Sequence, residues 1–466
     1  MNKIADNFCG YLKIADDMFV YTVSDSIVTL LPAQSDRRNR YDVFHRMRTR
    51  NFEQPEFLFG EDSDGMIAML WNGTYSFSGI NTSARFSTPI IIKAAGNTDY
   101  FWNMLTEDWR KFHAITFYGG NINAVCNPKV AVARPNIEDA LKNEGADEIK
   151  LRPWNDYVRE VECEIDHEKV TITISVLQSG QNHDAERKGA YSLGELNSCI
   201  RLSFEKAQDF DKIGRYYLVV KEMVALLTSQ NNIAFDVYLS QRNSDNLFFK
   251  SCSCKIFDRY KDYSTRKWHN VISAYSMLDY LPKMIEKIAG DEIASLLAVL
   301  PDDNRSVSRI SITNIQDLCT ALEVAYKWEQ REREKDILIQ ELKKDIKETI
   351  AAFTAKHKEI SVYQETTISS AFQYLDYTLS QRVYTLYSEN RKIVDEVSSK
   401  LSLPQVNEES IAAFVKLRNN KAHSGTVEWG ESAKIYLPLF ALVYACFFKY
   451  IGMPDEAIEA VVSQII

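Results

Sequence analysis

The sequence predicts an α+β protein with a β-rich N-terminal half, built as sandwich-like sheets with a packed helix, and an all-α C-terminal bundle. Three observations carry this reading. Apolar and polar residues alternate through much of residues 1–260, the period of half-buried strands. From about residue 268 the apolar residues recur every three or four positions instead, the period of a helix face. Between them, PDDNRSVSR at 301–309 is polar and turn-rich, and marks the best boundary. The expected domains are 1–149 (β-rich), 150–300 (a second β-rich region with helices leading to a connector) and 301–466 (helical).

Strands are expected at Tyr11–Leu31, Met66–Phe77, Arg85–Ala94 and across HAITFYGG at 113–120. Two more flank the turn-like Asp166-His167-Glu168-Lys169, within Val158–Val176. A helix is expected from Asp211 to about Ser229, with Ile213, Tyr217, Val220, Val224 and Leu227 on one side. IAFDVYL and NLFFKSCSCKIF then read as strands. In the helical block a long helix is capped near Thr313 or Asn314 and passes into the mixed-charge run WEQREREKDILIQELKKDIKET, read as a solvated helix surface or an antiparallel hairpin. Further helices are expected over about Thr367–Lys400, Asn407–Ala422 and Glu431–Tyr450.

Composition narrows the function. A formal charge of −9 and a pI near 5.5 exclude a globally basic nucleic-acid coat but leave room for a local basic site. The eight cysteines are scattered without a Cys-x-x-Cys pair, which suits reduced thiols in a cytoplasmic protein and gives no metal ligand set. The longest apolar run, YLPLFALVYACFF at 436–448, is too short for a bilayer and is read as a buried helix, so no membrane partner is expected. Gly119-Gly120 lacks the rest of any phosphate-binding loop, and no Gly-x-Ser-x-Gly or His-Glu-x-x-His occurs. No cofactor is expected.

The residues with chemistry to offer sit on the helix that opens at Asn407. Ile411, Phe414, Val415 and Ala422 form its apolar stripe, and Arg418 lies on the same stripe, where it must snorkel outward or find a partner. His423 follows one turn after Asn419, near the stop at Gly425. An arginine, an amide and a histidine at one helix end suit phosphodiester chemistry without a metal. The guanidinium binds phosphate and stabilises the charge of the transition state, and the imidazole titrates near neutral pH. The spacing alone is weak: with four to six residues between arginine and histidine, about one such pair is expected by chance in a chain of this composition, and Arg40-YDVF-His45 matches it too. A structural arginine and a helix-end histidine explain the same letters.

Context separates the two matches, because Arg418-Asn419-Asn420-Lys421-Ala422-His423 stands in an all-helical block ahead of a strongly apolar helix. The block from about 310 to 466 resembles a HEPN domain, a helical bundle marked by Arg-x4-6-His at the end of its third main helix. The whole chain, including its opening phrase NFCGYLKI, resembles ApeA-like HEPN proteins of prokaryotic antiviral defence. That resemblance implies a metal-independent endoribonuclease leaving 2′,3′-cyclic phosphate ends. It implies a homodimer with two motifs facing one RNA substrate, and an unknown phage-derived trigger sensed by the N-terminal half. It assigns His423 as general acid or base, Arg418 as phosphate contact, and Asn419 as a group that orients the imidazole or donates to phosphate. Lys421 adds attraction for RNA, and Glu323 positions Arg418. Arg37, Arg38, Arg40, Arg46, Arg48 and Arg50, interleaved with aromatics, are a second candidate surface for RNA or trigger, with a solvated loop as the plain alternative. The competing class is a non-catalytic ligand- or protein-binding module in which the helical block serves dimerisation.

Overall fold

The structure, a computed structural model, describes residues 4–14, 17–33, 42–45, 56–71, 73–77, 83–94, 110–133, 150–179, 195–242, 248–258, 270–302, 310–328, 337–357, 361, 364, 366–367, 378–424 and 431–465. The chain divides into two compact units. One comprises Met1–Thr228 with Asn232–Gly290, and the other Ser229–Asn231 with Asp291–Ile466.

The first unit is built on strands. In chain order they are β1 (Asn7–Ile14), β2 (Asp17–Ser24), β3 (Ile27–Pro32), β4 (Phe57–Asp62), β5 (Ile67–Trp71), β6 (Ser76–Phe77), β7 (Ala84–Ser87) and β8 (Ile90–Ala94). There follow β9 (Lys111–Tyr118), β10 (Val132–Ala133), β11 (Lys150–Leu151), β12 (Arg159–Ile165), β13 (Glu168–Ser179), β14 (Glu195–Asp209), β15 (Asp236–Arg242) and β16 (Phe248–Ile256). Among the described residues, fourteen of them form one antiparallel sheet in the order β12-β13-β14-β9-β15-β16-β8-β5-β4-β1-β2-β3-β7-β6. β10 and β11 pair separately. Alternation tells which face of a strand is buried but not which strand lies beside it, so hydrogen bonding links into one ladder what the sequence presents as sandwich-like sheets.

The alternation itself is visible in the packing. Phe19, Tyr21 and Val23 of β2 and Val28 and Leu30 of β3 all point into one core, joined by Leu12 and Ile14 of β1. Gly10 permits this: a Cβ there would overlap the Glu61 carbonyl oxygen and press on the Tyr21 ring. The β12–β13 hairpin turns at Asp166 and His167, whose φ angles of 50° and 66° are the paired positive values of a tight two-residue turn. An ion pair is buried in the sheet, with Lys93 Nζ 2.6 Å from Asp62 Oδ2 and side chains only 8% and 1% exposed. The other Asp62 oxygen accepts the backbone N–H groups of Asp64 and Met66.

This unit also contains helices α1 (Gly120–Val125), α2 (Ile213–Thr228) and α3 (Leu281–Ala289), besides short helical turns such as Trp154–Tyr157. α2 lies on the sheet through Tyr216, whose ring centroid is 4.6 Å from Phe204 and 6.2 Å from Phe112.

The second unit is helical. It contains α4 (Ala294–Val299), α5 (Ile312–Trp328), α6 (Ile337–Lys356), α7 (Leu379–Glu389), α8 (Arg391–Lys400), α9 (Glu408–Ser424), α10 (Tyr436–Tyr450) and α11 (Asp455–Ile465). α10 is apolar all round and buried along nearly its whole length, as a central helix must be. The span Ala433–Tyr450 has the length and mean hydropathy (1.3) of a membrane span, and 78% of it is buried inside the protein. Trp328 of α5 packs on Phe447 at 5.9 Å and stacks on Tyr450 at 5.5 Å. α5 also packs against α4, α7 and α9. None of the described side chains of α6 is buried.

Candidate functional site

α9 begins where its sequence says it should. Asn407 Oδ1 accepts the Ser410 N–H at 2.8 Å and Ser410 Oγ accepts the Asn407 N–H at 3.0 Å, a reciprocal cap. Glu408 and Glu409 occupy the first turn, where the helix dipole favours carboxylates. Ile411, Phe414 and Val415 are buried, so the predicted apolar stripe faces the bundle.

Arg418 continues that stripe, and its partner comes from α5. Arg418 Nη1 donates to Glu323 Oε1 at 3.2 Å, with side chains 32% and 36% exposed. The pair therefore sits at the rim of the bundle, within reach of solvent. Beneath it, Cys319 stands one turn before Glu323 on α5. Burial pushes its thiol up to about 12, with Glu323 adding to the rise and Arg418 opposing it. Asp317 is half-buried, and desolvation raises its carboxyl above the ordinary range. Tyr436, at the start of α10, is raised by burial and then by Asp317.

α9 is helical through Ser424, so Asn419, Lys421 and His423 all lie on its last turns. Their side chains are outside the described residues. On a continuous helix, positions 418 and 423 are about 140° apart around the axis. The structure thus joins Glu323 to Arg418, and position 423 follows on the same helix.

Arg37, Arg38, Arg40, Arg46, Arg48 and Arg50 lie outside the described residues. His45, the second half of the chance match with Arg40, is an exposed residue of the helical turn 42–45.

Sequence reasoning missed Arg382. Its guanidinium carbon lies 5.5 Å from the ring centroid of Tyr326, a cation–π contact between α7 and α5. Three-residue spacing from Glu323 to Tyr326 was the signal that the two contacts adjoin, but nothing in the sequence brings Arg382 to that face.

The first unit has a separate open groove of about 410 Å³ lined by Glu164, Asp166, His167, Glu286, Ala289 and Gly290. Arg215 donates to both Asp166 oxygens at 2.9 Å, and this bonding holds the Asp166 carboxyl below its usual range. No residue singled out in the sequence as a catalytic candidate lines it. Among the described residues, no three His, Cys, Asp or Glu side chains gather closely enough to hold a metal ion. No protein-family model, curated protein or solved structure matches this chain.

Proposed function

We propose that the chain is a metal-independent endoribonuclease of the HEPN type, resembling the ApeA-like proteins of anti-phage defence. The single observation that carries this reading is the Arg418–Glu323 bond, which fixes a guanidinium at the solvent rim of a helical bundle, five residues before His423. A phosphate-binding arginine has to be both held and accessible, and this one is bonded yet a third exposed.

Two copies share the work. One His423 accepts the 2′-hydroxyl proton as the 2′-oxygen bonds to phosphorus. The P–O5′ bond breaks, and the protonated His423 of the second copy donates to the departing O5′. Arg418 offsets the charge on the phosphorane and Asn419 orients an imidazole. The products are a 2′,3′-cyclic phosphate and a 5′-hydroxyl. The wide angle between positions 418 and 423 on one helix favours such a shared site. The β-rich unit serves as sensor for a phage-derived trigger, in the cytoplasm.

The test is purified protein with RNA in EDTA. Cleavage with cyclic-phosphate ends is expected for the parent protein and lost in Arg418→Ala and His423→Ala. Activity persisting in both variants overturns the assignment. End-sequencing of RNA from cells carrying the parent or His423→Ala protein, with and without phage, identifies substrate and trigger dependence.

One observation favours a second reading. Arg418 already satisfies a donor on Glu323, as a purely structural arginine does. In that reading the helical unit is a non-catalytic module for dimerisation or ligand binding, and neither variant changes the fate of RNA.

A further inference from the structure

The outer face of β1, β2 and β3 carries apolar side chains that the fold leaves uncovered. Successive residues of a strand point to opposite faces. Leu12, Phe19, Tyr21, Val28 and Leu30 therefore fill the core, while Tyr11, Met18, Val20, Ile27 and Leu31 point the other way. Tyr11 is 60% exposed, Met18 45%, Ile27 50% and Leu31 39%. Strand pairing gathers them. Tyr11 lies opposite Val20, and Val20 opposite Leu31, so three apolar side chains form one row across three strands. Met18, two residues from Val20, adjoins the row. A lone exposed apolar residue is ordinary, but a contiguous row marks an interaction surface.

The row is flanked by opposite charges. Glu61 of β4 stands opposite Tyr11 at one end. At the other, Arg85 of β7 stands opposite Thr29, two residues from Leu31. Both are exposed, and among the described residues neither forms an ion pair. In the sheet order β4-β1-β2-β3-β7, four inter-strand spacings separate the two charges, about 19 Å.

We infer that two copies of the chain meet on this face, sheet on sheet, around a two-fold axis parallel to β2. The charges select that axis. Rotation about it lays the β4 side of one copy over the β7 side of the other, so each Glu61 approaches Arg85 of the second copy. Tyr11 then lies over Leu31 of the second copy, and Val20 over its own counterpart. A two-fold axis running across the strands would set β4 over β4 and β7 over β7, bringing like charges together. A two-fold contact uses one patch twice, so the Glu61–Arg85 pair forms twice. Eight residues of strand run about 27 Å, so the face covers roughly 500 Å² per copy and about 1,000 Å² in all, the lower end for a specific interface. The inference stands apart from the ribonuclease reading, which concerns the helical unit.

The experiment is sedimentation velocity of the full-length protein between about 1 and 100 μM, with charge reversals at the two exposed positions. Glu61→Arg and Arg85→Glu are each expected to weaken association at least about 10-fold, and the double reversal to restore it to within about 3-fold. Cys9, on the same face, supplies a second readout that needs no variant. Its maleimide labelling in the parent is expected to slow as concentration rises, because the second copy covers it. A parent that stays monomeric to 100 μM overturns the inference and leaves the face to a different partner. Association with concentration-independent Cys9 labelling places the contact elsewhere and overturns it too. So do single reversals without effect, or a double reversal that does not restore association.

Discussion

Arg418 and Glu323 are 95 residues apart in the chain and 3.2 Å apart in space. Their bond ties α9 to α5 at a point where both side chains remain a third exposed. Exposed pairs of this kind contribute about 0.2–1 kcal/mol. Arg418→Ala is therefore expected to stay folded, with a melting temperature within a few degrees of the parent, while RNA cleavage falls at least about 100-fold. Glu323→Gln keeps a hydrogen-bond acceptor but loses the charge, and is expected to lower single-turnover cleavage by about 10-fold with little change in melting. Equal losses of stability and activity in both variants would show a structural link only.

The Lys93–Asp62 pair behaves differently because it is almost fully buried. Removing one partner strands a charge away from water, at a cost of about 3–5 kcal/mol. Lys93→Met is expected to lower the urea midpoint strongly. Asp62→Asn should cost less than Asp62→Ala, since the amide oxygen still accepts from Asp64 and Met66. Replacing both members with apolar residues is expected to recover part of the loss.

His113 is expected to make the first unit sensitive to mild acid. Its Nδ1 accepts the Arg242 backbone N–H at 3.1 Å, a bond that a doubly protonated ring cannot accept. Burial, and then Arg242, hold its pKa below the ordinary histidine value. A base whose folded pKa lies below its unfolded one contributes its full stability above the unfolded value, about 6.5. That contribution declines as the pH falls from there toward the folded pKa. Denaturant midpoints are expected to drop between pH 7 and pH 5.5, and His113→Gln to flatten this slope. An unaltered slope would assign the acid sensitivity elsewhere.

Among the described glycines, Gly10 has the least room for a side chain. A methyl there meets the Glu61 carbonyl oxygen and the Tyr21 ring, neither of which can retreat without opening the β1–β4 or β1–β2 ladder. Gly10→Ala is expected to destabilise by more than about 2 kcal/mol, measured by chemical denaturation, and to broaden amide signals across β1, β2 and β4.

Much of this architecture is readable from the letters. The expected strands at 11–31, 85–94 and 113–120 and the helix from 211 match β1–β3, β7–β9 and α2, because each buries one face and so repeats its apolar residues at a fixed period. The expected helix over 367–400 instead ends at Glu389 and restarts at Arg391. Asn390 sits buried at the break, its amide bonded to the Leu386 carbonyl at 2.9 Å. That stop depends on what surrounds one polar side chain, which periodicity does not record. α11 escaped notice although Pro454 and the acids Asp455 and Glu456 mark its start. At the site, the stripe on α9 showed that Arg418 needed a partner, and Glu323 supplies it across two helices. Strand order in the sheet and the approach of Arg382 to Tyr326 are long-range pairings that no local pattern encodes.

None of the eight cysteines forms a disulfide, and only Cys9 is exposed. The folded molecule thus offers one surface thiol, a single attachment point for a dye or spin label on β1. The other seven report opening when they react. Cys126, Cys163, Cys199, Cys252 and Cys254 belong to the strand-built unit, and Cys319 and Cys446 to the helical one. Mass spectrometry of alkylated protein during gentle heating would read, peptide by peptide, which half loosens first.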